Sequence, residues 1–280
     1  MRLRTFFFSV CFFLLVRLTG PQLQIHAQTA QNPGATVPPG GTITEPAALY
    51  LPLVAQAAPP PMPTPGATFA AIPMQGPPID RPPTTHPDLN LAIRSYLTTT
   101  AALTLIDVDG AADSDAPQLA ALFSAPRLPA FTAAYQVYDW NWACSADGCR
   151  GDLIRAPDVT LLAMAVTPNE PLFLPTRSQQ IYAGGYKALV LYAEETRITL
   201  SYTREDTPAR GYLVHVEDII VDPALLALYR AKDAAGRKEL PALRNNERFA
   251  NASGSAIKVA IRDTGSFMDP RVRKNWWKGY

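Results

Sequence analysis

The distribution of proline constrains this chain more than any other feature. The sequence has 280 residues and 28 prolines, and 17 of the prolines lie within the first 90 positions. Proline fixes φ and removes a backbone donor, so a segment this rich in it neither continues a helix nor sits inside a sheet. Clusters such as Val37-Pro38-Pro39-Gly40-Gly41 and Pro59-Pro60-Pro61-Met62-Pro63-Thr64-Pro65 favour extended, solvated conformations and lack the apolar mass for a core. The chain therefore divides into a proline-rich front and a compositionally ordinary back. Residues 28–68 read as a disordered tether and residues 69–280 as a β-rich globular domain. One apolar island, Ala48 to Val54, interrupts the tether and reads as a sticky linker patch.

Residues 1–27 read as a signal peptide. Arg2 and Arg4 supply the positive start, Thr5 to Val16 is an apolar run, and Gln22 to Ala27 is a polar stretch with a cut expected after Ala27. The run is too short to span a bilayer comfortably and Arg17 ends it, so no stable transmembrane span is expected after cleavage. Retention as an uncleaved anchor is the alternative. Cys11 lies inside the run, away from a lipid-attachment position. Losing three arginines with the signal takes the net charge from +1 to −2. A charge so near zero excludes a generally basic nucleic-acid binder. The two remaining cysteines, Cys144 and Cys149, enclose Ser-Ala-Asp-Gly, which carries a turn signal. An exported chain with an even cysteine count points to a disulfide clamping that loop. A metal or redox pair is the alternative, although two thiols make an incomplete zinc site. The expected location is secreted, extracellular or cell-surface.

The back of the chain reads mostly as strand. Lys187 to Ala193 is an apolar, β-favouring run. Arg197 to Thr203 alternates with Ile198, Leu200 and Tyr202 on one face. Tyr212 to Val221 alternates with Val214 and Val216 opposite Leu213, His215 and Glu217, and Ile257, Val259 and Ile261 share another face. Tyr182 to Tyr186 reads as a turn, and Glu205 to Gly211 as a polar hairpin loop. One helix is well signalled, with Asp222 as N-cap, Pro223 at the first position, a stripe of Leu225, Leu226 and Tyr229, and Gly236 as terminator. A shorter helix is expected from Ala116 to Phe123. The fold class expected is mainly β, an antiparallel barrel or sandwich with one or two short helices.

Two resemblances add to this. The tag Tyr50-Leu51-Pro52-Leu53-Val54 after a signal peptide is similar to exported proteins of filamentous green non-sulfur bacteria. The stretches Arg81 to Tyr96, Val137 to Trp142, Tyr202 to Glu217 and Val259 to Trp277 resemble a family of secreted proteins from the same group. That resemblance implies export and brings no activity with it. The second is with lysostaphin-type zinc peptidases, which have an antiparallel β fold with His-x-Gly-x-Asp early and His-x-His late. His86-Pro87-Asp88-Leu89-Asn90 resembles the early motif with Asn90 in the aspartate place. Leu213-Val214-His215-Val216-Glu217, followed by Asp222-Pro223, resembles the late one. The resemblance implies zinc on His86 and His215. Leu213, however, stands where the family has the histidine that assists the metal-bound water, and Asn lacks the charge of the aspartate ligand. What is implied is a divergent, non-hydrolytic relative.

His86 and His215 are the only histidines outside the signal, and each also reads as a hydrogen-bonded packing residue. Asp107, Asp109, Asp113 and Asp115 lie within nine residues and suggest calcium or a solvated acidic loop. Tyr138, Trp140 and Trp142 fall at period two on one strand face. Trp276, Trp277 and Tyr280 sit among Arg271, Arg273, Lys274 and Lys278. Aromatic platforms stack on sugar rings and arginines pair with carboxylates. Core packing explains the first group equally, and a docked terminal strand or tail explains one of the adjacent tryptophans. Arg197, Arg204, Glu205, Asp206, Arg262 and Asp263 read as surface ion pairs near strand ends. No Gly-rich phosphate loop or nucleophile elbow is present.

The leading expectation is a secreted or surface-displayed, non-catalytic binding domain for an extracellular glycan or protein. Tyr138, Trp140, Trp142, Trp276 and Trp277 are its candidate contact residues, and it needs no cofactor. The enzyme-like alternative is the divergent zinc-peptidase-like domain with metal at His86 and His215. A purely structural extracellular module is the third reading.

Overall fold

A computed structural model of the chain describes residues 68–280. The expected signal peptide, all but the last residue of the expected tether, Cys11 and the apolar island lie outside the described residues. Strands β1 (Ala70–Pro73), β2 (Tyr96–Thr99), β3 (Phe131–Asn141), β4 (Cys149–Leu153), β5 (Leu161–Ala165) and β6 (Pro171–Phe173) come first. Then β7 (Tyr186–Glu194), β8 (Arg197–Ser201), β9 (Tyr212–Glu217) and β10 (Ile219–Val221) lead into helix α1 (Pro223–Ala234). β11 (Glu239–Arg244), β12 (Arg248–Ala252), β13 (Ala256–Asp263), β14 (Ser266–Met268) and the short helix α2 (Arg273–Trp276) follow.

Eleven strands form one large sheet with the main path β1-β11-β7-β8-β9-β13-β5-β3-β2, to which β14 adds on β13 and β4 on β3. A three-stranded sheet, β10-β12-β6, adds Leu172, Ile219, Val221 and Phe249 to the same apolar core. The end strands β1 and β2 do not pair, so the large sheet stays open. The fold is mainly antiparallel β and sandwich-like, as the sequence pattern predicts, and not a closed barrel.

The central strands show how alternation is converted into two faces. Ile198, Val216 and Val259 stand opposite one another across β8, β9 and β13, as do Leu200, Val214 and Ile261. These rows face the main core. The alternate rows are Arg197, Glu217 and Lys258, then Thr199, His215 and Ala260, then Ser201, Leu213 and Arg262. This second face is largely polar, yet every residue of β9 is buried. The reason is a second cover: Leu91 packs in a small cluster with Ala260, Leu161, Val137 and Phe267. The segment carrying Leu91 therefore roofs the polar face.

Three expectations need correction. Tyr212 to Val221 is not one strand. Asp218 takes a left-handed backbone (φ 62°), which aspartate tolerates better than most residues, and the chain passes from the large sheet to the small one. The Asp218 carbonyl accepts from the amide and hydroxyl of Ser253 at 3.0 and 2.7 Å. Second, the helix expected over Ala116 to Phe123 is a single 3-10 turn, Leu119–Leu122. Gln118 and Phe123 are taken by bridges to Thr176 and Leu172, which leaves no room for more. Third, Asp206 and Arg262 are buried rather than surface charges. Helix α1 forms as expected: the Asp222 carboxylate accepts from the Ala224 amide at 2.9 Å, and Leu225, Leu226 and Tyr229 are buried.

The loop between β8 and β9 is fastened from inside. The Asp206 carboxylate accepts from Arg237 Nε and Nη2, both at 2.7 Å, and from the Ile79 amide at 3.1 Å. Arg237 donates further to Asp233 at 2.6 Å and to the Leu191 carbonyl at 2.9 Å. Breaking such a pair strands a buried charge. Asp206→Ala is expected to lower stability by about 3 kcal/mol, at the low end for a broken buried pair because Asp233 stays with Arg237. Urea unfolding measures this, and a loss below about 1 kcal/mol would contradict the account.

Candidate functional site

A cleft of about 680 Å³ opens between the segment that leaves β1 and the loop between β8 and β9. Pro77, Pro78, Ile79, Pro208 and Trp142 give it apolar walls, and His86 and Asp88 line it too. Proline shapes the first wall. Pro83 starts a 3-10 turn, Pro83–Thr85, and Pro87 keeps His86 in an extended conformation (φ −88°, ψ 111°) that ends it. The Leu89 and Asn90 amides then return to the His86 carbonyl at 3.0 and 2.8 Å, so His86 stands at the corner of a tight turn. The two walls are joined directly by Gln75 donating to the Arg204 carbonyl at 2.8 Å, and by Ile79 on Asp206.

Asp88 anchors this turn to the sheet. Its carboxylate takes Arg94 and, at 2.7 Å, Arg262 of β13, and all three side chains are buried. Burial by itself raises the Asp88 carboxyl; Arg262 and Arg94 more than offset it and hold the group below the usual carboxylate range. Arg94 also donates to the carbonyls of Pro87 and Tyr138 at 3.1 Å. The turn, the cover segment and β3 therefore share one charged centre.

The remaining charges along the cleft are paired among themselves. Arg81 makes a two-pronged contact with Asp80 at 3.1 and 3.2 Å, and Arg210 meets Glu205 at 2.9 Å. Arg81 also lies over the Trp142 ring, 4.5 Å from its centroid, and His86 meets the same ring edge-on at 5.6 Å. Trp142 nevertheless keeps 42% of its surface exposed. Trp140 packs against it at 6.3 Å. The indole N–H of Trp140 donates to the Asp147 carbonyl at 3.1 Å, inside the loop closed by the Cys144–Cys149 disulfide. Gly148 has a left-handed φ of 73°, and a Cβ there would collide with the Trp140 ring. Tyr138 is the third member of the row, with the Arg150 guanidinium 5.1 Å from its ring centre. The three aromatics of β3 and its exit thus lie in a continuous series beside the cleft.

Trp276 and Trp277 behave differently. Both are fully buried, and their indole N–H groups donate to the carbonyls of Asp269 and Pro270, each at 2.8 Å. The expectation that only one of two adjacent tryptophans is buried assumed a strand; in the turn of α2 both reach the core. Neither offers a ring face to a ligand. The acidic loop explains the basic residues around them. Asp107 pairs with Arg273 at 3.0 Å, the carbonyls of Asp109 and Gly110 accept from Lys274 at 2.5 and 2.8 Å, and the Asp113 carbonyl accepts from Lys278 at 2.6 Å. Asp113 also takes the Tyr212 hydroxyl, and Asp115 pairs with Arg177 at 2.8 Å. Of the carboxylates expected to suit calcium, those of Asp107, Asp113 and Asp115 are turned to the chain's own donors.

The histidines are neutral packing residues with distinct tautomers. His86 Nδ1 accepts from the Asp88 amide at 3.1 Å, so the ring proton belongs on Nε2, the nitrogen left for the cleft. Burial lowers its pKa to about 4, against the opposing field of Asp88. His215 shares its strand face with Glu217, as the alternation predicts. Thr199 Oγ1 donates to the Leu89 carbonyl at 2.6 Å and accepts from His215 Nδ1–H at 2.9 Å, which leaves the buried Nε2 without a partner. Burial, and secondarily Arg262, lowers the His215 pKa to about 3. Cationic Arg262 and Arg94 act on this ring, and a dication would meet the same field. Among the described residues no group of three or more His, Cys, Asp or Glu side chains is arranged to hold a metal ion. None of their helices is long and apolar enough to cross a membrane.

No family model, curated protein or solved structure matches this chain. Sequence reasoning missed Arg81, Asp88, Arg94 and Arg262 as site-building residues. Arg262 was the available signal, because a charge directly after the Ile257, Val259 and Ile261 alternation needs a buried partner or an end to the strand.

Both histidines titrate near 6.5 in an unfolded chain and far lower in the folded one. A lowered base contributes stability that is complete above pH 6.5 and is lost as the pH falls towards 4. The expected slope is about 1.4 kcal/mol per pH unit for each histidine. Glu217 opposes this, since burial raises its carboxyl and favours its protonation in the folded state. Urea midpoints between pH 7 and pH 4 measure the net effect. His215→Gln is expected to flatten the slope, and an unchanged slope would contradict the assignment.

Proposed function

We propose that this protein is a secreted, non-catalytic binding protein that holds a neutral glycan in the cleft at Trp142. The observation that carries the reading is an exposed indole in a cleft whose charged side chains are paired with one another. A pyranose has a face of C–H groups and a rim of hydroxyls. An aromatic face complements the first, and fixed donors and acceptors complement the second. Asp80 with Arg81 and Glu205 with Arg210 supply such groups as one-to-one ion pairs, and Asp88 with Arg94 and Arg262 adds a buried cluster behind them. An ionic ligand would have to displace one of these partners, whereas a neutral polar one would not. The size of the cleft is ordinary for a small-molecule site. The disulfide and the resemblance to a secreted family of filamentous green non-sulfur bacteria support action outside the cytoplasm.

Isothermal titration of the full chain against a panel of neutral oligosaccharides (cello-, chito-, xylo- and manno-series) tests this. At least one series is expected to bind, with a change in tryptophan emission. Trp142→Ala should weaken binding about thirtyfold, the loss typical of a buried aromatic anchor. Raising sodium chloride from about 50 to 500 mM should change affinity less than about twofold, because no ion pair with the ligand is screened. Absence of binding across the panel would sink the glycan reading. A steep salt dependence would point instead to a charged ligand.

A further inference from the structure

The hairpin formed by β3 and β4 carries its aromatics away from the apolar core. β4 pairs with β3 and with no other strand, and from Asp139 to Ile154 no residue is fully buried. A two-stranded ribbon without a core is marginal in water. This one is stiffened by local devices: the Cys144–Cys149 disulfide, the Trp140 hydrogen bond to Asp147, the close fit of Gly148 against that ring, and Arg150 over Tyr138. The ribbon is thus held rigid while it carries Tyr138 and Trp140 at alternate positions of β3, about 6.7 Å apart along a strand, and Trp142 in the turn that follows.

The surface beside this row is also continuous. The cleft shares Asp88, Trp142 and Pro208 with a smaller depression of about 300 Å³ that reaches Trp140. That depression shares Asp139, Trp140 and Trp142 with a third, and the third shares Asp152 and Leu153 with a fourth against Tyr138. One track therefore runs from the cleft over Trp142 and Trp140 to Tyr138, flanked by Asn141, Asp152 and Arg155.

We infer that the ligand is an extended, linear oligosaccharide, held at three or more consecutive subsites with the cleft at one end and Tyr138 at the other. The inference rests on the glycan reading and adds to it a polymer rather than a terminal sugar or small molecule. A small ligand would need the cleft alone and would leave the stiffened ribbon unused. On the track itself, Asp139 stands 3.5 Å from Arg94.

The test uses the full chain and a length series, from disaccharide to hexasaccharide, of whichever sugar binds. Affinity is expected to rise by about three- to tenfold for each aromatic subsite gained. Tyr138→Ala should weaken the hexasaccharide by a similar factor and leave the disaccharide unchanged, whereas Tyr138→Phe should keep most of the length effect. Trp142→Ala should weaken both lengths. Reducing the disulfide should flatten the length dependence while disaccharide binding persists. Equal affinity at all lengths, or Tyr138→Ala acting on every length alike, would overturn the extended track and leave a cleft-bound glycan standing. No binding at any length would overturn both.

Discussion

The Asp88 carboxylate between Arg94 and Arg262 is the interaction on which this architecture turns. The large sheet has an apolar face, which any sandwich would bury, and a polar face bearing Arg197, Thr199, His215, Glu217 and Arg262. A polar face cannot be covered by hydrophobic contact alone. The segment from Pro77 to Ser95 covers it by matching its polar groups: Asp88 to Arg262, the Leu89 carbonyl to Thr199, and Asn90 to Arg197 at 3.3 Å. Leu91 completes the seal. Buried charges of this sort add little net stability but penalise any other register strongly. The cover therefore has one seat on the sheet.

That seat determines the character of the cleft. His86 is two residues from Asp88, and the same turn that brings Asp88 to its arginines sets the histidine at the cleft wall. Burial keeps the neighbouring rings neutral, and Arg262 acts in the same direction. Residues that resemble metal-ligand spacing in one dimension thus become, in three, a hydrogen-bonded turn over a buried strand. Asn90 completes the change: its carboxamide bridges the Thr84 carbonyl and Arg197 rather than serving as a ligand.

β8, β9 and β13 were legible from the alternation at Arg197, Tyr212 and Ile257, and β7 from the apolar, β-favouring run at Lys187. The cap of α1 was legible because Asp-Pro has a single local meaning at a helix start. Alternation says nothing about which polar face is covered, so it could not show the burial of His215 and Glu217. The break at Asp218 was hidden for a related reason, since a left-handed aspartate leaves the side-chain pattern intact. The aromatic row at Tyr138, Trp140 and Trp142 was readable as one face. Its separation from Trp276 and Trp277 was not, because that depends on a single turn of helix and on an acidic loop more than 150 residues away.

The order of strands also has a consequence for how the molecule is made. β13 lies between β9 and β5, yet it is the thirteenth strand in chain order. Until synthesis reaches Asp263, the group β1-β11-β7-β8-β9 and the group β5-β3-β2 have no strand to join them. Arg262 arrives with that strand, so Asp88 waits for its second partner and the cover cannot be locked. Long-range pairings of this kind are slow to form. A nascent chain would stay open, with its two half-sheets unzipped, through nearly all of its elongation.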